Sequence, residues 1–329
     1  MIRYIVRRLV SFIPILAAAS VLIFFIVRIT PSDPISSLTK GRYISEETRL
    51  ALLEEFHLNE SLPRQYLSWI GGVLRGNLSS SFQHRTPVSE LLAERLPTTI
   101  HLTLMSSALA AIFSIGIGII CAVKKHSALD RVLSAFLVIC ASAPSFLLAI
   151  VFMYLFAFKL RLFPSFGMGR GFWENCYYLA LPSIALSLSM IALIGRITRS
   201  QLITELESNY VIAETAKGTP FPLIIGRHCL KNALIPVITI GGMQFGGMIA
   251  GAVLVENVFA LGGVGALLIE GIKAADYPVV QSITLLLAAF FMAVNLFTDI
   301  IYAAIDPRIR ARMNVRAVRA GKRRKEDGL

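Results

Sequence analysis

Six apolar runs, each long enough to cross a bilayer, constrain this chain more than any other feature. A hydrocarbon core about 30 Å thick takes about 20 helical residues at about 1.5 Å each. The runs at 9–29, 99–122, 132–157, 178–196, 233–255 and 279–304 fit that length. With no water to satisfy backbone N–H and C=O groups inside lipid, such runs must close their own hydrogen bonds, so each is expected to be a helix. Composition agrees: 55% of residues are hydrophobic, 16% are charged and the mean hydropathy is +0.69. The opening "MIRYIVRR" has the charge pattern of a signal-peptide n-region, but the apolar run after it is too long for an h-region and no small-x-small site follows. It is expected to be a retained first helix, and the fold class an all-α integral membrane protein with six transmembrane helices.

A net charge of +12 raises the question of nucleic acid, and the positions of the charges answer it. With the N-terminus in the cytoplasm, 124–131, 196–232 and 305–329 lie inside, and 30–98, 158–177 and 256–278 lie outside. With the N-terminal residues and Asp299, near the inner end of the last span, counted inside and Arg28, near the outer end of the first, counted outside, the inner side carries 20 Lys/Arg against 8 acids and the outer side 12 against 12. The whole excess is on one side, as the positive-inside rule requires, and no nucleic-acid partner is needed. The basic tail at 305–329 touches membrane lipid at most. The expected organisation is an N-terminal segment and first helix at 1–29, an extracytoplasmic segment at 30–98, a five-helix core at 99–304 with a loop at 197–232, and the tail.

The chemistry-bearing motifs are absent. There is no phosphate-binding G-x-x-x-x-G-K-[ST], no H-E-x-x-H, no G-x-S-x-G, no pair of intramembrane acids and no ion-selectivity filter. No catalytic residue and no metal ligand set is expected. Of Cys121, Cys140, Cys176 and Cys229, only Cys176 falls outside the membrane on the oxidising side, so no disulfide framework forms there. The outer stretch "YISEETRLALLEEFHLNESLPRQYLSWIGGVLRG" reads as two short amphipathic helices, the first opened at Ser45-x-x-Thr48, with a break at Pro63. Few ionisable residues lie in the spans; Arg28 and Asp299 are near helix ends. A solute moved uphill by this chain would draw its energy from elsewhere.

The stretch "YVIAETAKGTPFPLIIGRHCLKNALIP", 210–236, interrupts this apolar architecture with charges, a glycine and three prolines. Helical pattern leaves the fourth span, Gly218, Pro220 and Pro222 break it, and a second helical run returns to the fifth. The result is a helix–turn–helix off the inner face, with Ala213, Ala216 and Gly218 as a small-residue surface. In the fifth span, Gly242-x-x-x-Gly246 and Gly247-x-x-x-Gly251 allow close helix approach, with Met243 and Gln244 beside them as candidates to line a solute path. Asn295 and Asp299 share a face of the last span and suit interhelical hydrogen bonding. "FALGGVGALLIEGIKAADYPVV" reads as a glycine-opened outer half-helix.

The interrupting loop resembles the EAA-type loop of ABC-transporter permeases in the dipeptide, oligopeptide and nickel branch. The resemblance covers essentially the whole chain, through "MIRYIVRRL", "PSDPI", "RTPVSELLAERLPTTI", "AGAVLVENVFALGGVGALLIEGI", "DYPVVQ" and "NLFTDIIYAAIDPRIR" in the expected order. One departure is visible, since the E-A-A positions are Ile212, Ala213 and Glu214. The resemblance implies a type I importer permease in a bacterial or archaeal inner membrane, both termini cytoplasmic. It implies a heterodimeric channel with a second permease, two cytoplasmic ATPase subunits and an extracytoplasmic solute-binding protein. This chain would bind no cofactor, ATP and Mg being held by the partners. Ala213, Glu214, Thr215, Ala216, Lys217 and Gly218, with Arg227, His228 and Asn232, would couple to the ATPase. Phe259, Gly263, Gly265, Asp276 and Tyr277 would belong to a loop facing the binding protein. Peptides lead as solute over nickel or a metal chelate, because no Cys/His-rich lining is present. A secondary transporter or channel working alone would need coupling residues or a filter that the sequence lacks. A scaffold for membrane-bound enzymes would show the loop without transport.

Overall fold

The computed structural model describes residues 2–29, 34–39 and 42–305. Thirteen α-helices follow in order: α1 Ile2–Ile29, α2 Pro34–Leu38, α3 Glu46–Glu55, α4 Leu62–Leu74, α5 Val88–Val123, α6 Ala128–Ser142, α7 Ser145–Phe152, α8 Phe172–Leu206, α9 Asn209–Ala216, α10 Phe221–Leu223, α11 Leu230–Val258, α12 Val264–Lys273 and α13 Tyr277–Ile305. Two π-helical stretches, Met153–Lys159 and Ile224–Cys229, extend α7 and α10. Among the described residues there is no strand, only an isolated bridge between Ser80 and Pro87. All of the basic tail beyond Ile305 lies outside the described residues.

Five helices are long and apolar enough to cross a membrane, and the run expected at 132–157 is a bent pair that makes a sixth if counted as one span. Its two halves meet at 107°. Pro144, which has no N–H to donate and disfavours helix at Ala143, sits at the break as the residue before α7. Pro97, Pro182 and Pro236 lie inside long helices that continue through them.

The chain divides into two compact units. The first holds residues 1–110, 142–189 and 246–292, the second 111–141, 190–245 and 293–329, so α5, α8, α11 and α13 contribute a segment to each. In the first unit, Val88 and Leu92 of α5, Val264 and Leu267 of α12, and Val279 and Ile283 of α13 form a buried cluster. The start of α12 is built from the glycine-rich loop before it. Gly262 takes φ +66°, and Gly265 packs so closely on α11 that a Cβ there would stand 2.3 Å from the Val253 Cα. The three free amides that open α12 are each satisfied: Thr99 Oγ1 accepts from Val264, and Glu256 Oε2 accepts from Gly265 at 2.7 Å and Ala266 at 3.3 Å. At the other end of α12, the Asp276 carboxylate, 1% exposed, accepts from the Ser81 hydroxyl and the backbone N–H groups of Phe82 and Gln83. Ser45 caps α3 by accepting from Thr48 N–H, as the sequence led us to expect, and Pro63 opens α4. No residue of α3 is fully buried, so only α4 presents a clear inner face, with Gln65 and Trp69.

In the second unit, Arg199 of α8 grips Asp130 of α6 with two hydrogen bonds of 2.7 and 2.8 Å, and Asp130 also accepts from His126 N–H and the Ser134 hydroxyl. Gly118 lets α5 approach α8 so closely that a Cβ would meet the Thr198 Cβ at 2.5 Å.

Because the neighbour of Gly265 is backbone, Gly265→Ala forces α12 off α11 and is expected to cost about 1–3 kcal/mol. Thermal unfolding of the purified chain in detergent should show the loss. Gly247→Ala, where a Cβ meets nothing within 4 Å, should leave the melting curve in place, and equal curves for the two variants would refute the close packing.

Candidate functional site

The interrupting loop is anchored from both ends. The helical pattern leaving the fourth span does not run on unbroken as expected: α8 stops at Leu206, Ser208 turns to extended backbone at φ −79° and ψ 150° or so, and α9 starts afresh. Ser208 Oγ donates to the Glu205 carbonyl in the turn, the local side-chain competition with helix that serine offers. Val211 then points into a buried cluster with Ala122 of α5, Leu202 of α8, Ile224, Cys229 and Ala233. Above this cluster, Glu205 Oε2 accepts from the Tyr210 hydroxyl at 2.6 Å and from Asn232 Nδ2 at 3.3 Å, joining α8, α9 and α11 at one carboxylate oxygen. Burial, together with that hydrogen bond to Glu205, raises the Tyr210 hydroxyl well above the ordinary tyrosine range, so it is a donor at all physiological pH.

The far end of α9 closes on Gly218, at φ +78°. Gly218 N–H donates to Thr215 O and Thr219 N–H to Glu214 O. Lys217 Nζ and Thr219 Oγ1 donate to the two Glu214 carboxylate oxygens, at 2.7 and 3.0 Å, and the lysine holds that carboxyl below its usual range. Glu214 is thus committed to the turn. Ala213, Thr215, Ala216, Lys217 and Gly218 are exposed, as is Arg227, with His228 half-buried in the π-helical stretch. Three larger apolar residues that were not among the expected coupling residues are also exposed: Ile212, Phe221 and Leu223, at 65%, 49% and 47%. Their signal was present as apolar residues in a charged loop, but periodicity alone did not say which way they faced.

Elsewhere the expected residues divide. A Cβ at Gly242 would stand 2.2 Å from the Thr298 side chain and one at Gly246 2.8 Å from the Phe291 ring, so both receive α13; Gly251 receives Leu186 of α8. Gly247 faces open space, beside exposed Met243 and Gln244. Asn295 and Asp299 are half-buried on one face of α13. The residues expected to face a binding protein are otherwise placed: Phe259, Asp276 and Tyr277 are 1%, 1% and 7% exposed, and Gly263 and Gly265 pack against Glu256. They form the internal frame of the α11–α12–α13 turns, because the glycines and Asp276 satisfy backbone there. Glu256, wholly buried, was not singled out from sequence; a carboxylate two residues from a span's end looks like an ordinary boundary charge until the fold brings α12 onto it.

The loop is thus anchored at both ends among long apolar helices and carries an apolar crest. A family profile described as "Binding-protein-dependent transport system inner membrane component" matches residues 114–311, and its N-terminal counterpart matches residues 1–103. The chain belongs to this family. Among curated relatives, the "Probable peptide ABC transporter permease protein y4tP" of Sinorhizobium fredii is 37% identical over 93% of this chain and 99% of its own. The "Glutathione transport system permease protein GsiC" of Pectobacterium atrosepticum is 35% identical over 94% and 99%, and the "Dipeptide transport system permease protein DppB" of Alkalihalophilus pseudofirmus 34% over 94% and 100%. Among solved structures, the inward-facing MetNI methionine ABC transporter superposes with a TM-score of 0.56 at 18% identity, covering 66% of this chain and 96% of that one. The fold is therefore that of an ABC importer permease, a multi-pass membrane protein.

Tyr210→Phe removes one of the two donors to Glu205. A hydrogen bond to a charged group contributes about 1.5–3 kcal/mol, and this half-exposed one should sit near the low end, so amide exchange across Asn209–Ala216 in the purified chain should quicken roughly tenfold. Exchange in Ala128–Ser142 should not change. Unaltered exchange in α9 would mean that apolar packing alone holds it.

Proposed function

We propose that this chain is one of two permease subunits of an ATP-driven, binding-protein-dependent importer of di- and oligopeptides, and supplies half of the translocation channel. The observation that carries the coupling role is the exposed apolar crest of Ile212, Phe221 and Leu223 on a loop tied to the long helices α8 and α11 through Glu205. An exposed apolar patch on a rigid mount favours a protein partner, here a cytoplasmic ATPase subunit, one of a pair. ATP and Mg belong to those partners, and this chain supplies no catalytic group and binds no cofactor. A homologous second permease completes the channel, and an extracytoplasmic protein delivers the solute. Peptide, dipeptide and glutathione in the relatives' names support a peptide cargo over nickel or a chelate. In this reading the membrane is the cytoplasmic one, both termini lie inside, residues 30–98 are extracytoplasmic and 197–232 is the coupling loop.

The orientation rests on the one-sided excess of basic residues. In a Cys176→Ser background, cysteines placed singly at exposed Ser79 and Lys124 should differ: an impermeant maleimide added to intact cells should label position 79 and leave 124 untouched until the membrane is opened. Labelling at 124 from outside would overturn it.

The transmission role predicts a phenotype at Gly218. A Cβ there meets nothing within 4 Å of this chain, so Gly218→Phe costs mainly the left-handed backbone, about 1–2 kcal/mol, and directs a ring outward at the ATPase. In purified complexes, binding-protein-stimulated ATP turnover and peptide uptake should both fall at least tenfold, with insertion intact, while Arg319→Phe in the basic tail is nearly silent. Equal coupling in the two variants would remove this loop from the mechanism, and uptake by the chain without ATPase would replace the importer with a self-sufficient carrier.

A further inference from the structure

Two cavities of opposite character share Tyr277 in the first unit. One, about 300 Å³, is apolar, lined by Ile23, Ile26 and Val27 of α1 and by Ile272, Val280 and Thr284 across from them. The other, about 550 Å³, has a mixed polar and apolar lining that includes Arg28, Gln65, Trp69 and Gln281. Arg28, Trp69 and Gln281 bring N–H donors to it. Arg28 spends Nε and Nη2 on the Gln65 carbonyl oxygen, at 3.0 and 2.9 Å, and Nη1 reaches the Phe24 carbonyl at 3.4 Å. Its charge lies 3.6 Å above the Phe24 ring, and among the described residues no carboxylate pairs with it. Trp69 Nε1 and Gln281 Nε2 are buried N–H groups with no acceptor, on side chains 7% and 2% exposed. The carboxylate that lines this cavity, Glu55, is neutralised by Arg85, while His57 faces Glu60 at 3.4 Å. A buried donor without an acceptor costs about 1–3 kcal/mol, so the cavity is organised for an oxygen anion.

The relation of the cavities identifies the anion's carrier. Arg28 stands in the last turn of α1, at the end of an apolar span only 11% buried within the protein, which places it at the level of lipid headgroups, beside the aromatic rings usual at that depth. Ile26 and Ile23 follow Arg28 back along α1 at about 1.5 Å per residue, towards the hydrocarbon. A cationic, donor-rich cavity at the interface with an apolar cavity one turn deeper matches an amphiphile, and a water-soluble anion would have no use for the second.

We propose that this unit binds an anionic phospholipid, with its phosphate at Arg28 and the N–H groups of Trp69 and Gln281, and an acyl chain in the cavity between α1 and the α12–α13 turn. The chain has two tryptophans, so Trp173→Phe leaves Trp69 as its reporter. Full chain carrying that change, in nanodiscs of phosphatidylcholine, is titrated with phosphatidylglycerol or with further phosphatidylcholine, each brominated on its acyl chains. Trp69 fluorescence should be quenched at about tenfold lower mole fraction of the brominated phosphatidylglycerol. Arg28→Gln should abolish the preference and Gln281→Leu should reduce it several-fold, the second variant keeping the guanidinium and its contacts to Gln65 and Phe24. Equal quenching by the two lipids would overturn the proposal, as would a preference that survives Arg28→Gln. Displacement of brominated phosphatidylglycerol by free glycerol phosphate or by a dipeptide would also overturn it, since the cavity would then serve a soluble anion.

Discussion

A carboxylate accepting backbone N–H groups recurs at several of the places where a helix of this chain starts or turns. Glu256 holds the first amides of α12, Asp276 holds the amides of Phe82 and Gln83, Asp130 holds His126 N–H before α6, and Glu174 holds Arg170 N–H before α8. In lipid or in a packed interior an amide that leaves its helix has no water to turn to, and a charged acceptor satisfies it more strongly than a neutral one. Each such contact also sets the direction in which the chain continues. The acids that remain near the membrane are therefore mostly accounted for by backbone geometry, which is why so few of them look like chemistry.

The loop proposed for coupling follows the same economy. Glu205 gathers a hydroxyl from α9 and an amide from α11, while Val211 and its apolar neighbours close the space beneath. The loop therefore has two kinds of support, one directional and one not, and in the proposed role both would pass a push on Ile212 or Phe221 to α8 and α11. Gly218 completes this by turning the chain without a side chain, leaving the crest accessible.

Much of this was legible in sequence. The spans follow from run length, the cap at Ser45 and the stop at Gly218 from local rules, and the close approach at Gly242 and Gly246 from their spacing. The failures share a cause. Gly247 repeats the same spacing and faces open space, since a helix has several faces and a spacing motif does not say which one has a neighbour. Pro144 broke a run that hydropathy read as continuous, whereas Pro97, Pro182 and Pro236 did not break theirs; surrounding helices decide whether the lost hydrogen bond is tolerated. The resemblance put Asp276 and Tyr277 in a loop facing a binding protein, yet the turn folds inward on Ser81 and Phe82.

Sequence alone settled what each segment must do with its backbone, because run length and proline and glycine chemistry act locally. It also carried the family, through motifs spread along the whole chain. Only the tertiary structure decided which acid serves which amide, which glycine has a neighbour and which apolar side chains of the loop are left outside. Those outcomes depend on residues as far apart as Ser81 and Asp276, or Thr99 and Val264, whose meeting is set by the packing of helices against one another and by no property of either segment.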